Sequence, residues 1–248
     1  MSVSKSNPTA AMPSAAMLVI GDEILSGRTR DSNMHHLAQA LTTRGVALVE
    51  VRVVADDQAA IVAGVNALRT AYDHVFTSGG IGPTHDDITA DAIAAAFGVG
   101  ISHRADAMAL LKAHYDRQGL AFNAARQRMA RIPDSASLID NPVSIAPGFT
   151  VENVHVMAGV PRIFEAMVAG VLASIEGGAP LLSRSLRVTR GEGEIATRFA
   201  AFAETYPALA MGSYPFNQNG IYGTNLVIRG SDEALLDAAF TRLTELFA

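Results

Sequence analysis

Residues 73–98 read DHVFTSGGIGPTHDDITADAIAAAFG. An apolar run with the composition of a strand ends at Thr77 and Ser78. Gly79, Gly80 and Gly82 follow, then Pro83, Thr84, His85, the adjacent Asp86 and Asp87, and an alanine-rich segment suited to a helix. A loop that only turns the chain needs one or two glycines. Three of them beside paired charge predict a strand–loop–helix unit whose backbone comes close to a ligand.

The same unit recurs upstream. AMLVIG (16–21) is a continuous apolar run fit for a buried parallel strand. In DSNMHHLAQALTTRG (31–45), Asp31 or Ser32 is placed to cap a helix that Gly45 ends, with Met34, Leu37, Ala38 and Leu41 on one apolar stripe. VALVEVRVVAD (46–56) reads as a second strand, and residues 57–72 as a helix with Ile61, Val65 and Leu68 on one face. This β-α-β-α-β-α order predicts an α/β fold, a three-layer, doubly wound and mostly parallel sheet with helices on both faces. Residues 102–131 are polar and helical in pattern, two or three short strands fall in 132–161, and RIFEAMVAGVLASI (162–175) closes the unit as a helix.

EGGAP (176–180) is the best linker in the chain. Beyond it the pattern is β-α-β-β-α, with the last helix starting at Ser231, Asp232 and Glu233. The expected organisation is a disordered lead-in over 1–14, a main domain over 15–176 and a small α+β module over 181–248.

With 49% hydrophobic and 17% charged residues among 248, the chain has the composition of a compact globular protein. Its net charge of -5 argues against general nucleic-acid binding. The β-α-β-β-α order of the tail raises single-stranded RNA as a ligand, but the tail lacks a G-x-x-G loop flanked by basic residues, so no nucleic-acid partner is expected. Cysteine is absent, which excludes disulfides, thiolate catalysis and cysteine-type zinc sites. No apolar run is long enough to span a membrane, and Pro8 and Pro13 interrupt the N-terminal stretch that resembles an export signal. The expected compartment is the cytoplasm, with no membrane partner. HExxH, GxSxG and GxxxxGK[ST] do not occur. His35 and His36 are neighbours and so cannot form an i, i+4 metal pair on a helix.

In a doubly wound sheet ligands bind beyond the carboxyl ends of the strands. Two loops fall there: residues 21–33, GDEILSGRTRDSN, and the glycine loop. Gly79, Gly80 and Gly82 let backbone N–H groups reach a phosphate or carboxylate, and Pro83 stiffens the loop. Asp87 is placed to cap the following helix. Capping does not need two aspartates, however, and a carboxylate beside an anion is favourable when a divalent cation lies between them. Asp86 and Asp87 are therefore candidate metal ligands. Gly21, Asp22 and Glu23 follow the first strand into the same crevice, and Ser26, Gly27, Asp31, Asn33, Thr77, Ser78 and Thr84 offer further ligand contacts.

TSGGIGPTHDDIT (77–89) resembles the signature of the molybdopterin-binding domain superfamily, which is close to T-G-G-x-G-P-T-x-D-D-x-T. GDEILSGRTRDSN is similar to the first-loop motif of one branch, comprising the competence/damage-inducible protein A (CinA) family and the N-terminal domain of eukaryotic FAD synthases. AARQRMARIPDSASLIDNPVSIAPGF (124–149) and VHVMAGVPRIFEAM (154–167) follow that branch in order, and MGSYP (211–215) resembles its small α+β module. Ser78 stands where the family usually has glycine, and Ala158 where it has proline.

The resemblance implies two functions for one fold. In the CinA branch it implies divalent-metal-dependent hydrolysis (Mg²⁺, Mn²⁺, Co²⁺ or Ni²⁺, with K⁺ as a further cofactor) of nucleoside diphosphates such as ADP-ribose or FAD. Asp86 and Asp87, with Asp22, would then carry catalysis. In the molybdenum-cofactor branch it implies molybdopterin binding and adenylation, or a cofactor-binding module without turnover. A small-molecule nucleotide or pterin is the expected partner in either case, and the family implies a homo-oligomer, dimer or trimer.

Overall fold

The computed structural model describes residues 12–248, so most of the expected lead-in lies outside the described residues. The chain divides into two compact units between Gly178 and Ala179.

In the first unit β1 (Ser14–Ile20) is buried from its second residue onward. Ser14 already belongs to this strand, two residues earlier than the apolar run suggests. β1 lies between β2 (Ala47–Val54) and β3 (His74–Ser78), parallel to both. β8 (Val154–Met157) pairs with β3 in parallel, while β7 (Gly148–Val151) and β6 (Ser137–Ile139) extend the sheet antiparallel. The resulting order is β2-β1-β3-β8-β7-β6. Central strands covered on both faces cannot alternate polar with apolar residues, which is why β1 reads as one unbroken apolar run. A separate ribbon pairs β4 (Ile101–His103) with β5 (Arg131–Pro133).

Helices cover both faces of this sheet. α3 (Gln58–Ala71) and α4 (Thr89–Phe97) set Ile61, Val65, Leu68 and Ile93 against Leu18, Ile20 and Val75. α5 (Ala105–Arg117) adds Leu111 to that layer. On the other face α2 (Asn33–Arg44) and α7 (Pro161–Ser174) bring Leu37, Leu41, Phe164 and Met167 onto Met17, Val19 and Phe76. The fold is the three-layer α/β sandwich expected from the element order. Two short helices, α1 (Asp22–Leu25) and α6 (Ala124–Arg128), interrupt what the sequence presents as loop and longer helix. Met34, expected on the buried stripe of α2, is instead 41% exposed; it occupies the first turn, at the margin of the core that Leu37 and Leu41 enter.

At the end of β3 and β8 away from the glycine loop, His74 Nδ1 lies 3.3 Å from His155 Nε2. The Thr150 hydroxyl is 3.1 Å from the other nitrogen of His155, whose ring also packs on Phe76. Burial, reinforced by His74, pushes the His155 imidazole down to about 4.

The second unit is built from β9 (Leu182–Val188), α8 (Glu192–Glu204), β10 (Ala210–Gln218), β11 (Ile221–Gly230) and α9 (Glu233–Phe247). Its antiparallel sheet has the order β10-β11-β9. Val188, Ile195, Phe199, Leu226, Ile228, Leu236 and Leu243 form a core of its own. Asp232, rather than Ser231, caps α9: its carboxylate stands three residues before Leu235 and accepts that N–H at 3.0 Å.

Candidate functional site

The carboxyl ends of β1, β3 and β8 open into a cleft of about 530 Å³. Its floor is the glycine loop. Gly79 and Gly80 have φ of 113° and 68°, a left-handed conformation that side-chain-bearing residues rarely adopt. A Cβ on Gly79 would also collide with the Ile20 carbonyl, and one on Gly80 with the Thr89 hydroxyl. The turn is locked from behind, because the buried Thr89 donates its hydroxyl to the Gly79 carbonyl at 3.0 Å and its N–H to Gly80.

Asp86 and Asp87 both line the cleft, in different situations. One Asp87 oxygen accepts the Thr84 N–H at 2.7 Å and the Thr84 hydroxyl at 2.6 Å, which ties the loop to itself. Asp87 does not cap α4; Ile88 holds that position without a side-chain bond. The Asp86 side chain is largely exposed, with His85 4.0 Å away and itself wholly exposed.

The loop after β1 divides. Gly21 and Glu23 line the cleft, and Thr29 joins them. Asp22 is exposed and does not line it, while Ser26 and Gly27 stand exposed on the connection beyond α1. Asp31, one residue before the Ser32 N-cap of α2, accepts the Met34 N–H at 2.9 Å. Asn33 is buried and donates its amide to the Ser78 hydroxyl at 2.7 Å and to the Gly159 carbonyl at 2.8 Å. It pins together the ends of α2, β3 and the turn after β8. The hydroxyl of Ser78, the position where the family usually has glycine, is thereby used inside the protein. Thr77 is fully buried in β3 and likewise does not line the cleft. Pro83 and Gly82 do line it; Thr84 serves the Asp87 turn.

Several residues here escape sequence reasoning. Asp56, just past β2, lines the cleft and accepts the Asp22 N–H at 2.9 Å. Partial burial, together with the charges of Asp22, Glu23 and Asp86, raises its carboxyl above the usual range. The far wall comes from residues 141–147. Asn141 organises it, donating to the Ser144 hydroxyl and the Ala146 carbonyl while accepting the Val143 and Ser144 N–H groups. Ile145 in this wall has φ of 69°, a strained conformation for a β-branched residue. α7 begins at the rim with Val160 and Pro161 and no side-chain cap.

Four carboxylates (Glu23, Asp56, Asp86 and Asp87) line this cleft and, among the described residues, no lysine, arginine or histidine does. Arg128 and Arg131 flank Gly80, Gly82 and Asp87 on another side: Arg128 donates to the Asp87 carbonyl at 2.9 Å and Arg131 pairs with Asp91 at 2.6 Å. Ile20, Ile81, Met129, Val160 and Ile163 supply an apolar side. Among the described residues no three His, Asp or Glu side chains are grouped to hold a metal by themselves. The donor set nevertheless fits a hard cation, since Mg²⁺-like ions take one or two carboxylates and fill the remaining positions with phosphate oxygens and water. Among the described residues no helix is long and apolar enough to cross a membrane.

The chain matches the family model described as probable molybdopterin binding domain over residues 16–177, and the one described as FAD synthase, middle domain, over 180–248. A probable FAD synthase of Caenorhabditis elegans is 32% identical over 258 residues, covering 94% of this chain and 50% of that protein. A CinA-like protein of Gemmatimonas aurantiaca is 30% identical, covering 90% of this chain and 56% of its own length. The chain thus spans about half the length of these curated relatives. The solved structure of the protein CinA from Thermoplasma acidophilum, described as of unknown function, aligns with a TM-score of 0.60 at 33% identity, over 65% of this chain and 97% of that one. The glycine loop and its cleft are accordingly those of a molybdopterin-binding domain, and this chain belongs to that family in its CinA-like and FAD synthase-like branch.

Proposed function

We propose that this chain is a divalent-metal-dependent nucleotide pyrophosphatase acting on diphosphates of the ADP-ribose or FAD kind. The observation that carries this reading is the charge of the cleft: four carboxylates and no cationic side chain line it, Arg128 and Arg131 standing on another side of the glycine loop. A diphosphate would be repelled from such a surface unless a divalent cation accompanied it. When bound, that ion supplies charge neutralisation and polarises a phosphoryl oxygen.

The chain's own residues do the rest. Gly79, Gly80 and Gly82 present backbone to the diphosphate, and the apolar side takes the ring system. Asp86 would hold the ion, with Asp56 or Glu23 as a further carboxylate donor. Asp56, with its raised carboxyl, is the better base of the set and accepts the proton of the attacking water. Water adds to one phosphorus and the bridging oxygen leaves, so ADP-ribose gives AMP and ribose 5-phosphate. Asp87 and Thr84 keep the loop in shape.

A second reading, a molybdopterin-binding or adenylating module, is favoured by the description of the matched family and uses the same cleft. One assay separates the two. The purified protein is offered ADP-ribose, FAD and NAD with Mg²⁺, Mn²⁺, Co²⁺ or Ni²⁺, with and without K⁺, and release of AMP is followed. Metal-dependent turnover that falls on the order of a hundredfold in Asp86→Asn and in Asp56→Asn is expected. No turnover of any dinucleotide, with a pterin co-purifying, would transfer the cleft to the second reading.

A further inference from the structure

The sheets of this protein treat their edges unequally. β6, at one end of the large sheet, is only three residues long. In the second unit the edge strand β10 carries Pro215, which removes a donor, and the edge strand β9 alternates exposed serine and arginine with its apolar residues. β2, at the other end of the large sheet, is neither short nor interrupted by proline; it carries one irregularity, at Val49, and the charges of Glu50 and Arg52 on the face opposite its exposed valines. It is eight residues long, and Val49, Val51 and Val53 are 60%, 38% and 41% exposed. A long, apolar, open edge is a template for another strand.

Its sequence says which strand. Residues 49–53 read Val-Glu-Val-Arg-Val, which is symmetric about Val51 except that Glu50 and Arg52 exchange sign. We infer that β2 is the seam of a twofold dimer, pairing antiparallel with β2 of a second copy about Val51. Val51 then faces its own counterpart, Val49 faces Val53, and Glu50 faces Arg52 on both sides of the axis. Directly opposed side chains in an antiparallel pair share one face, so these contacts form together. Shifting the axis by one residue puts Glu50 against Glu50 or Arg52 against Arg52, which sets the register. Register with β1 shifts only between the partners of Leu48 and Glu50, so residues 50–54 run regularly along the edge. In the single chain Glu50 and Arg52 lie 2.5 Å apart on the same strand, and the Tyr72 hydroxyl donates to Glu50 at 2.8 Å, so both charges are already held in place at the seam. This inference does not depend on the reaction proposed above.

The test is sedimentation of the full 248-residue chain, with circular dichroism as a check that each variant is folded. The wild type is expected to be a dimer at micromolar concentration. Glu50→Arg and Arg52→Glu should each weaken association by roughly tenfold or more, because like charges then oppose each other twice. Mixed in equal amounts, the two variants should re-form a dimer, since a strand with two arginines meets a strand with two glutamates. The double exchange E50R/R52E should dimerise as the wild type does. A monomeric wild type would leave the strand to another occupant and overturn the inference. So would folded single variants that remain dimeric, or a mixture that fails to associate.

Discussion

His155 keeps its imidazole neutral because it is buried against Phe76 and beside His74. An unfolded histidine takes up its proton near pH 6.5, whereas here the folded one does so only at about 4. Between these values the unfolded chain binds more protons, so stability falls as pH falls and the loss levels off below the folded value. A shift of this size is worth about 3 kcal/mol at most. Thermal unfolding followed from pH 7 to 4 should show this decline, and His155→Phe should flatten it, leaving a smaller slope from His74, whose burial lowers it in the same direction. An unchanged slope in the variant would refute the assignment. Single residues were legible in the sequence where chemistry was local. Asp86, Glu23 and the three glycines could be placed in the cleft because their loops follow strands. Asp56 could not: in VVADDQ it looks like half of an ordinary helix start, and only the fold brings it beside Asp22 and Asp86. Thr77 is buried and the Ser78 hydroxyl accepts from Asn33, since a hydroxyl at a strand end is as well suited to the interior as to a ligand.

Neighbouring aspartates at the start of α3 show how an element partitions two jobs. Asp57 accepts the Ala60 N–H at 2.9 Å and caps the helix, whereas Asp56 looks into the cleft. Asp57→Ala should therefore lower stability by about 1 kcal/mol in urea titrations and leave metal affinity unchanged. Asp56→Asn should do the reverse, weakening Mn²⁺ binding in calorimetry without a loss of stability, because it removes a carboxylate that its neighbours oppose. Equal effects of the two on binding would remove Asp56 from the site. Elements themselves were legible by period: β1, α3 and the whole β-α-β-β-α tail follow from apolar spacing and from Gly45 and Gly98, which end α2 and α4 in left-handed geometry. What the spacing does not carry is direction. Short apolar runs such as SLI and GFTV read the same forwards and backwards, so the antiparallel placing of β6 and β7 becomes visible only in the pairing.

At the scale of the molecule, the second unit has a hydrophobic core separate from the two that cover the faces of the large sheet, which predicts two separate folding units. Residues 179–248 bury Phe199, Leu226, Ile228, Leu236 and Leu243 among themselves, without any disulfide. Produced alone, this segment should give native-like far-ultraviolet circular dichroism and a cooperative melt, with the modest stability of roughly 3–5 kcal/mol usual for a single small core. A non-cooperative melt would mean that the boundary at Gly178 is not a folding boundary. The cleft in the first unit has the opposite character. Its walls are drawn from positions as far apart in the chain as Gly21 and Ile163, so no fragment of that unit contains it. Occupancy and folding are therefore one linked equilibrium: a ligand present at a hundred times its dissociation constant adds about 2.7 kcal/mol to the native state. In a cell that degrades what unfolds, the lifetime of this protein would follow the supply of the molecule it binds.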